Sequence, residues 1–108
     1  MKIIYNSIIP FKGFSSINLF GVIFARNGEN ITQRTISHEA IHTEQMKELG
    51  YVLFYIWYLA EWVIRLFLGG NAYRNISFER EAYDNDTDVE YLSRRGRYSF
   101  LKHVFRDK

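Results

Sequence analysis

Between residues 51 and 68 the chain reads YVLFYIWYLAEWVIRLFL, and sixteen of these eighteen residues are apolar or aromatic. A run like this has few fates. As a helix rising about 1.5 Å per residue it is roughly 27 Å long, just short of a bilayer's hydrocarbon core. It either crosses a membrane or is wrapped by protein, and the rest of the chain must fold accordingly. Its two charged residues, Glu61 and Arg65, stand four apart, the spacing at which helical neighbours pair. Charges near the middle of a span are costly in lipid. The tyrosines and tryptophans are spread along the segment and not banded at its ends, where membrane interfaces collect them. Both features favour a helix buried in protein. Yet a helix apolar all round needs cover on every side, and a chain of 108 residues offers little. Some of its surface is therefore expected to remain for a membrane surface, a second copy of the chain, or the C-terminal tail.

The elements around this segment predict a small α+β domain spanning residues 1–108, with strands first and helices after. KIIYNSII (2–9) reads as a strand that stops at Pro10. FKGFSS is a loop, and NLFGVIFAR (18–26) is a second strand. Asn27-Gly28 is a strong hairpin signal, returning through ENIT as a short third strand. Thr32 is a fitting N-cap for a helix over 33–49, which Gly50 would end. A third helix is expected from Asn75 or Ser77 to Gly96, with Phe78, Ala82, Val89 and Leu92 on one stripe. The aromatic tail RYSFLKHVF is expected to dock on the domain. INLFGVIFA (17–25) has the length of a signal-peptide core, but it starts late and little charge precedes it. A cytoplasmic location is expected, with membrane association left to the 51–68 helix.

Charge narrows the partners. Fourteen basic residues against twelve acidic ones leave +2, and no Lys/Arg cluster is interleaved with aromatics, so nucleic acid is not expected. Arg94, Arg95 and Arg97 read as a solvated edge. With no cysteine, disulfides and thiolate metal sites are excluded.

The chemistry sits in TISHEAIHTEQ (35–45). On a helix advancing about 100° per residue, His38, His42, Gln45 and Leu49 share one face, the one that should turn to the core. A buried imidazole without a partner is costly. Two of them on consecutive turns need a common solution, and one metal ion taking a nitrogen from each provides it. Glu39 lies at the edge of that face, where it can reach a metal-bound water without being a ligand. The plainer alternative for this H-E-x-x-H pattern is an amphipathic helix with two hydrogen-bonded histidines. A zinc site also needs a third protein ligand. A histidine at 48 is absent, since Gln45 and Glu48 stand where a metzincin would have Gly and His. A carboxylate from the later helix, Glu79 or Glu81, remains.

H-E-A-I-H followed by E-R-E-A (79–82) resembles the gluzincin zinc metallopeptidases over about a third of the chain. The resemblance implies His38, His42 and Glu79 as zinc ligands and Glu39 as general base, with Ala82 as the small residue and Glu81 as the fallback ligand. It implies a peptide or protein substrate, held extended along the strand 18–26. Where many members have an aspartate one turn after the ligand glutamate, this chain has Tyr83. Tyr83 is then a candidate oxyanion stabiliser or supporting donor, or a packed surface tyrosine. Asp84 or Asp86 would supply the supporting carboxylate, and Tyr73, Arg97 and His103 are weaker oxyanion candidates. The alternatives are a metal-holding interaction module that cleaves nothing, and a small membrane-associated protein with incidental histidines. One condition governs the site: if 51–68 crossed a bilayer, Glu79 would lie on the opposite side from the histidines.

Overall fold

A computed structural model describes residues 2–9 and 15–104. The expected strand end at Pro10, most of the loop after it and the last residue of the docking tail lie outside these. The architecture is α+β: a three-stranded sheet followed by helices. Strands β1 (Ile3–Asn6), β2 (Ser16–Leu19) and β3 (Val22–Arg26) stand in the order β1-β3-β2. β1 runs parallel to β3 and β2 antiparallel to it.

The sheet corrects the expected hairpin. The strand expected over 18–26 folds in two at Phe20-Gly21, both at positive φ (53° and 91°), as a primed two-residue turn requires. The Asn18 side chain accepts from the Gly21 N–H at 3.0 Å and closes the turn. Asn27-Gly28 makes a turn as well, but it feeds the next helix, and residues 29–32 form no strand. β3 is therefore central and hydrogen-bonded on both sides. β1 and β2 are the edges, and β2 is the one whose side chains reach α1. Arg26 N–H bonds Ser15 C=O, so by alternation Ser16 and Asn18 turn their backbone groups outward.

Helix α1 (Gln33–Leu49) has the expected bounds. The Thr32 hydroxyl accepts from the Thr35 N–H at 3.2 Å, and Gly50, in the left-handed region, ends the helix. Tyr51, also at positive φ, completes a sharp reversal into α2 (Val52–Leu68). The two helices meet at 110°, and among the described residues no helix is long and apolar enough to cross a membrane alone. α2 folds back, which meets the condition that the sequence set for the site.

α2 is not the buried helix expected. Of its residues only Phe54 and Glu61 are buried. Nor do Glu61 and Arg65 pair. Glu61 accepts from the Ser77 N–H (2.8 Å), the Ser77 hydroxyl (2.5 Å) and the Trp57 indole (2.7 Å), while Arg65 donates to the Val104 carbonyl. The short α3 (Ala72–Asn75) then leads into α4 (Ser77–Asn85). The long third helix expected through residue 96 breaks here. Asn, Asp and Thr from 85 to 88 offer the backbone local bonds that compete with helix, and the Asp86 carboxylate is held by α1. A short α5 (Tyr91–Arg94) follows. Phe78 and Ala82 are buried as expected, but Val89 and Leu92 are exposed. The tail docks as a 3₁₀ turn (Ser99–His103). Its Phe100 ring joins Phe78, Phe54, Met46 and Ile76 in the core, with Phe78 4.5 Å from Phe54 and 4.7 Å from Phe100. Each such ring contributes about 1.5–3 kcal/mol by burial, and together they fix α4 against α1 and α2.

Candidate metal centre

α1 places His38 and His42 one turn apart, with ring centroids 4.8 Å from each other. α4 brings Glu79 to them from its first turn. That turn is pinned on both sides: Glu61 holds Ser77, and Phe78 is locked in the core. Glu79 Oε1 lies 2.9 Å from His38 Nε2 and 3.1 Å from His42 Nε2. All three residues are buried, and their ligand atoms lie within 4.8 Å of one another. The group can hold a metal ion.

The outer hydrogen bonds test whether a cation fits. His38 Nδ1 faces Asp86 Oδ2 at 2.9 Å. A carboxylate only accepts, so this nitrogen carries the proton. His42 Nδ1 faces Gln45 Oε1 at 2.8 Å. The Gln45 amide has one orientation here, because its NH₂ donates to Phe78 C=O (3.1 Å) and Glu81 Oε1 (3.0 Å). His42 Nδ1 is therefore a donor too. In the neutral tautomers both Nε2 atoms then present lone pairs, and they point at a carboxylate oxygen. Three electron-rich atoms converge with nothing between them, so the donor set suits a cation. Without a metal, a proton must take its place. Burial pulls His42 down, but the charge of Glu79 and its hydrogen bond push it further the other way, to about 10. Burial likewise acts to raise Glu79, yet His42 and the hydrogen bonds from both histidines and Tyr58 hold it well below the usual carboxylate range.

The other residues singled out from the sequence fall into three groups. Glu39 stands beside the cluster, half-buried, and lines two adjoining cavities of about 390 and 680 Å³. Among the described residues its carboxylate has no hydrogen-bond or ion-pair partner. Its backbone carbonyl accepts from Asn18, which ties α1 to the edge strand. Glu81, two residues from Glu79, points away from the cluster. It is buried against Arg95, Tyr91 and Gln45, so it supports the site through Gln45. Asp86 is the supporting carboxylate, shared between His38 and Arg34 (2.8 Å), whereas Asp84 stands 3.8 Å from His103.

Tyr83 packs its ring edge-on to His38, centroids 4.4 Å apart, under the Arg74 guanidinium. Its hydroxyl meets that of Tyr73 at 3.2 Å. Tyr73 lines both cavities, while Arg97 and His103 line neither. Sequence reasoning missed Tyr58. Its hydroxyl donates to Glu79 Oε2 at 2.6 Å, leaving Oε1 for the histidines. The signal was faint: a tyrosine on the inner stripe of α2, four residues after Phe54.

The larger cavity has a mixed wall. Ile17, Met46, Phe54 and Tyr55 form its apolar side, and His42, Glu39 and Glu79 its polar end. The edge strand β2 borders both cavities through Ser16. No family model, no curated protein and no solved structure matches this chain.

Proposed function

We propose that the protein is a zinc-dependent hydrolase, a metallopeptidase that cleaves a peptide held along β2. One observation carries this reading: beside three convergent ligand atoms stands a carboxylate, Glu39, that is half-buried, unpaired among the described residues and open to both cavities. A structural metal site has no use for such a group, whereas general-base chemistry requires one. His38, His42 and Glu79 would hold the zinc. Zinc, when bound, supplies Lewis acidity and lowers the pKa of a coordinated water.

The chain's own residues do the rest. Glu39 takes a proton from the attacking water and returns it to the leaving amine. Ser16 and Asn18 offer outward N–H and C=O groups to an extended peptide, although the Asn18 carbonyl already accepts from Tyr55 at 3.1 Å. The apolar wall of the larger cavity takes one large apolar side chain of that peptide. The Tyr73 hydroxyl is kept protonated, since burial and the nearby Glu79 charge both raise it. It is the donor available to an oxyanion, with Tyr83 holding it through their shared hydrogen bond. Tyr58 and Asp86 keep the ligands oriented.

The test is Glu39→Gln, read with a quenched-fluorescent peptide library and a zinc assay. Peptide cleavage by the zinc-loaded wild type, lost in Glu39→Gln with zinc content unchanged, supports the reading. Stoichiometric zinc with no cleavage of any library member favours the interaction module. Protein that takes up no zinc refutes both.

A further inference from the structure

We propose that the outer face of α2 is a lipid-binding surface, which seats the protein on an anionic membrane interface without crossing it. The inference does not depend on the metal. It rests on α2 being inside out. The stripe turned toward the protein carries the polar groups: Tyr58 donates to Glu79, Glu61 accepts from Ser77 and Trp57, and Arg65 donates to the Val104 carbonyl. The face turned outward is apolar. Val52, Ile56, Leu59, Val63 and Phe67 follow one another at steps of three and four, and are 62, 60, 59, 41 and 86% exposed. At about 100° per residue, the exposed positions from Trp62 round to Ile64 cover about 200° of the helix circumference, and no charged side chain interrupts them. A helix that faces water shows the reverse polarity. Polar groups turned inward and apolar ones outward are the arrangement of a helix with apolar surroundings.

The width of the face selects the occupant. A packed partner helix uses a stripe about 100° wide. A second copy of α2 would cover about half the arc and leave the other half in water, whereas a lipid surface covers all of it. The seventeen-residue helix does not qualify as a span, so it lies along the interface. The hairpin tip extends the surface. Phe20 is 58% exposed, and its ring packs 6.1 and 5.3 Å from those of Tyr51 and Tyr55 at the start of α2. A bulky ring at positive φ is an unfavoured choice for a turn, and here it prolongs the apolar face. At the other end, the exposed Lys102 of the 3₁₀ turn has no carboxylate partner among the described residues. Its charge complements anionic headgroups.

The experiment is co-sedimentation of the full chain, in detergent-free buffer, with vesicles of phosphatidylcholine alone or mixed with phosphatidylglycerol. Binding is expected to be stronger on the mixed vesicles and weakened by salt. The double variant Ile56→Glu, Val63→Glu should lower partitioning at least about tenfold on both vesicles with its circular dichroism unchanged. Ile56→Gln alone serves if the double variant does not fold. Lys102→Glu should lower binding about fivefold, on the anionic vesicles only. A wild type that stays in the supernatant with both vesicles overturns the proposal. So does a dimer in analytical ultracentrifugation that Ile56→Gln converts to a monomer, because the face would then serve a second copy.

Discussion

Gln45 is the residue whose removal tests the metal centre most directly. Its side chain is fully buried and makes three hydrogen bonds: one accepted from His42 Nδ1, and two donated to Phe78 C=O and Glu81 Oε1. Gln45→Leu keeps nearly the same volume, so no large cavity opens. What it removes is polarity. Glu81 retains Arg95 and Tyr91, and the Phe78 carbonyl, inside α4, retains its place in the helix ladder, but the His42 N–H loses its partner where water does not reach. Such a group costs about 1–3 kcal/mol, against a total stability of about 5–15 kcal/mol for a domain. The metal should be affected separately. With Nδ1 unheld, the His42 ring is free to turn and to change tautomer, and loss of such an outer partner typically lowers metal affinity about 10–100-fold. Urea unfolding of the metal-free protein measures the first effect, and competition with a chromophoric chelator measures the second. If Gln45→Leu binds zinc within twofold of the wild type, the argument that Gln45 fixes His42 for a cation is wrong, however stable the variant is.

Three further outcomes follow from the same geometry. Tyr58→Phe removes the donor to Glu79 Oε2 and should weaken zinc binding about tenfold or more in the same chelator assay; an unchanged affinity would mean that Glu79 needs no anchoring. Glu61→Gln leaves one acceptor oxygen where Ser77 uses two, and should cost about 1.5–3 kcal/mol in urea unfolding; a neutral result would show that α4 is held by its core contacts alone. Zinc affinity should rise with pH. The metal-free His42, raised to about 10 by Glu79 against the pull of burial, holds a proton at neutral pH. That proton stabilises the metal-free fold fully below the unfolded value of about 6.5, and the stabilisation is lost as pH rises through about 10. Zinc must displace it, so apparent affinity should climb about tenfold per unit from about pH 6 to about pH 8. A flat profile by chelator competition would mean that His42 is neutral without metal.

What the sequence reveals and what it hides divide along one physical line. Features set by spacing within a helix are legible. His38 and His42 share a face because four residues make about one turn, and Thr32 and Gly50 bound α1 by chemistry local to each. Glu79 stands apart: the need for a third ligand points to Glu79 or Glu81 alike, nothing near either in the chain names its partners, and only the resemblance favours Glu79. Features set by where one element lands on another are illegible. Asp86 breaks the expected long helix because His38 and Arg34 hold its carboxylate. Gln45 looks like one more polar residue until Glu81 and Phe78 arrive to orient it. The turn at Phe20-Gly21 is hidden for a related reason: Phe20 reads as a strand residue, and only the Asn18–Gly21 bond and the contacts of Phe20 with Tyr51 and Tyr55 explain a turn there. The 51–68 helix shows the limit most clearly. Its composition says apolar all round, yet its order does not. Tyr58, Glu61 and Arg65 stand at steps of three and four, on the stripe that also carries Phe54. A periodic analysis of the polar residues, and not of the apolar ones, is what finds the inner face of such a helix. The same spacing that suggested a mutual ion pair was the mark of three separate inward bonds, one of them to the candidate ligand Glu79.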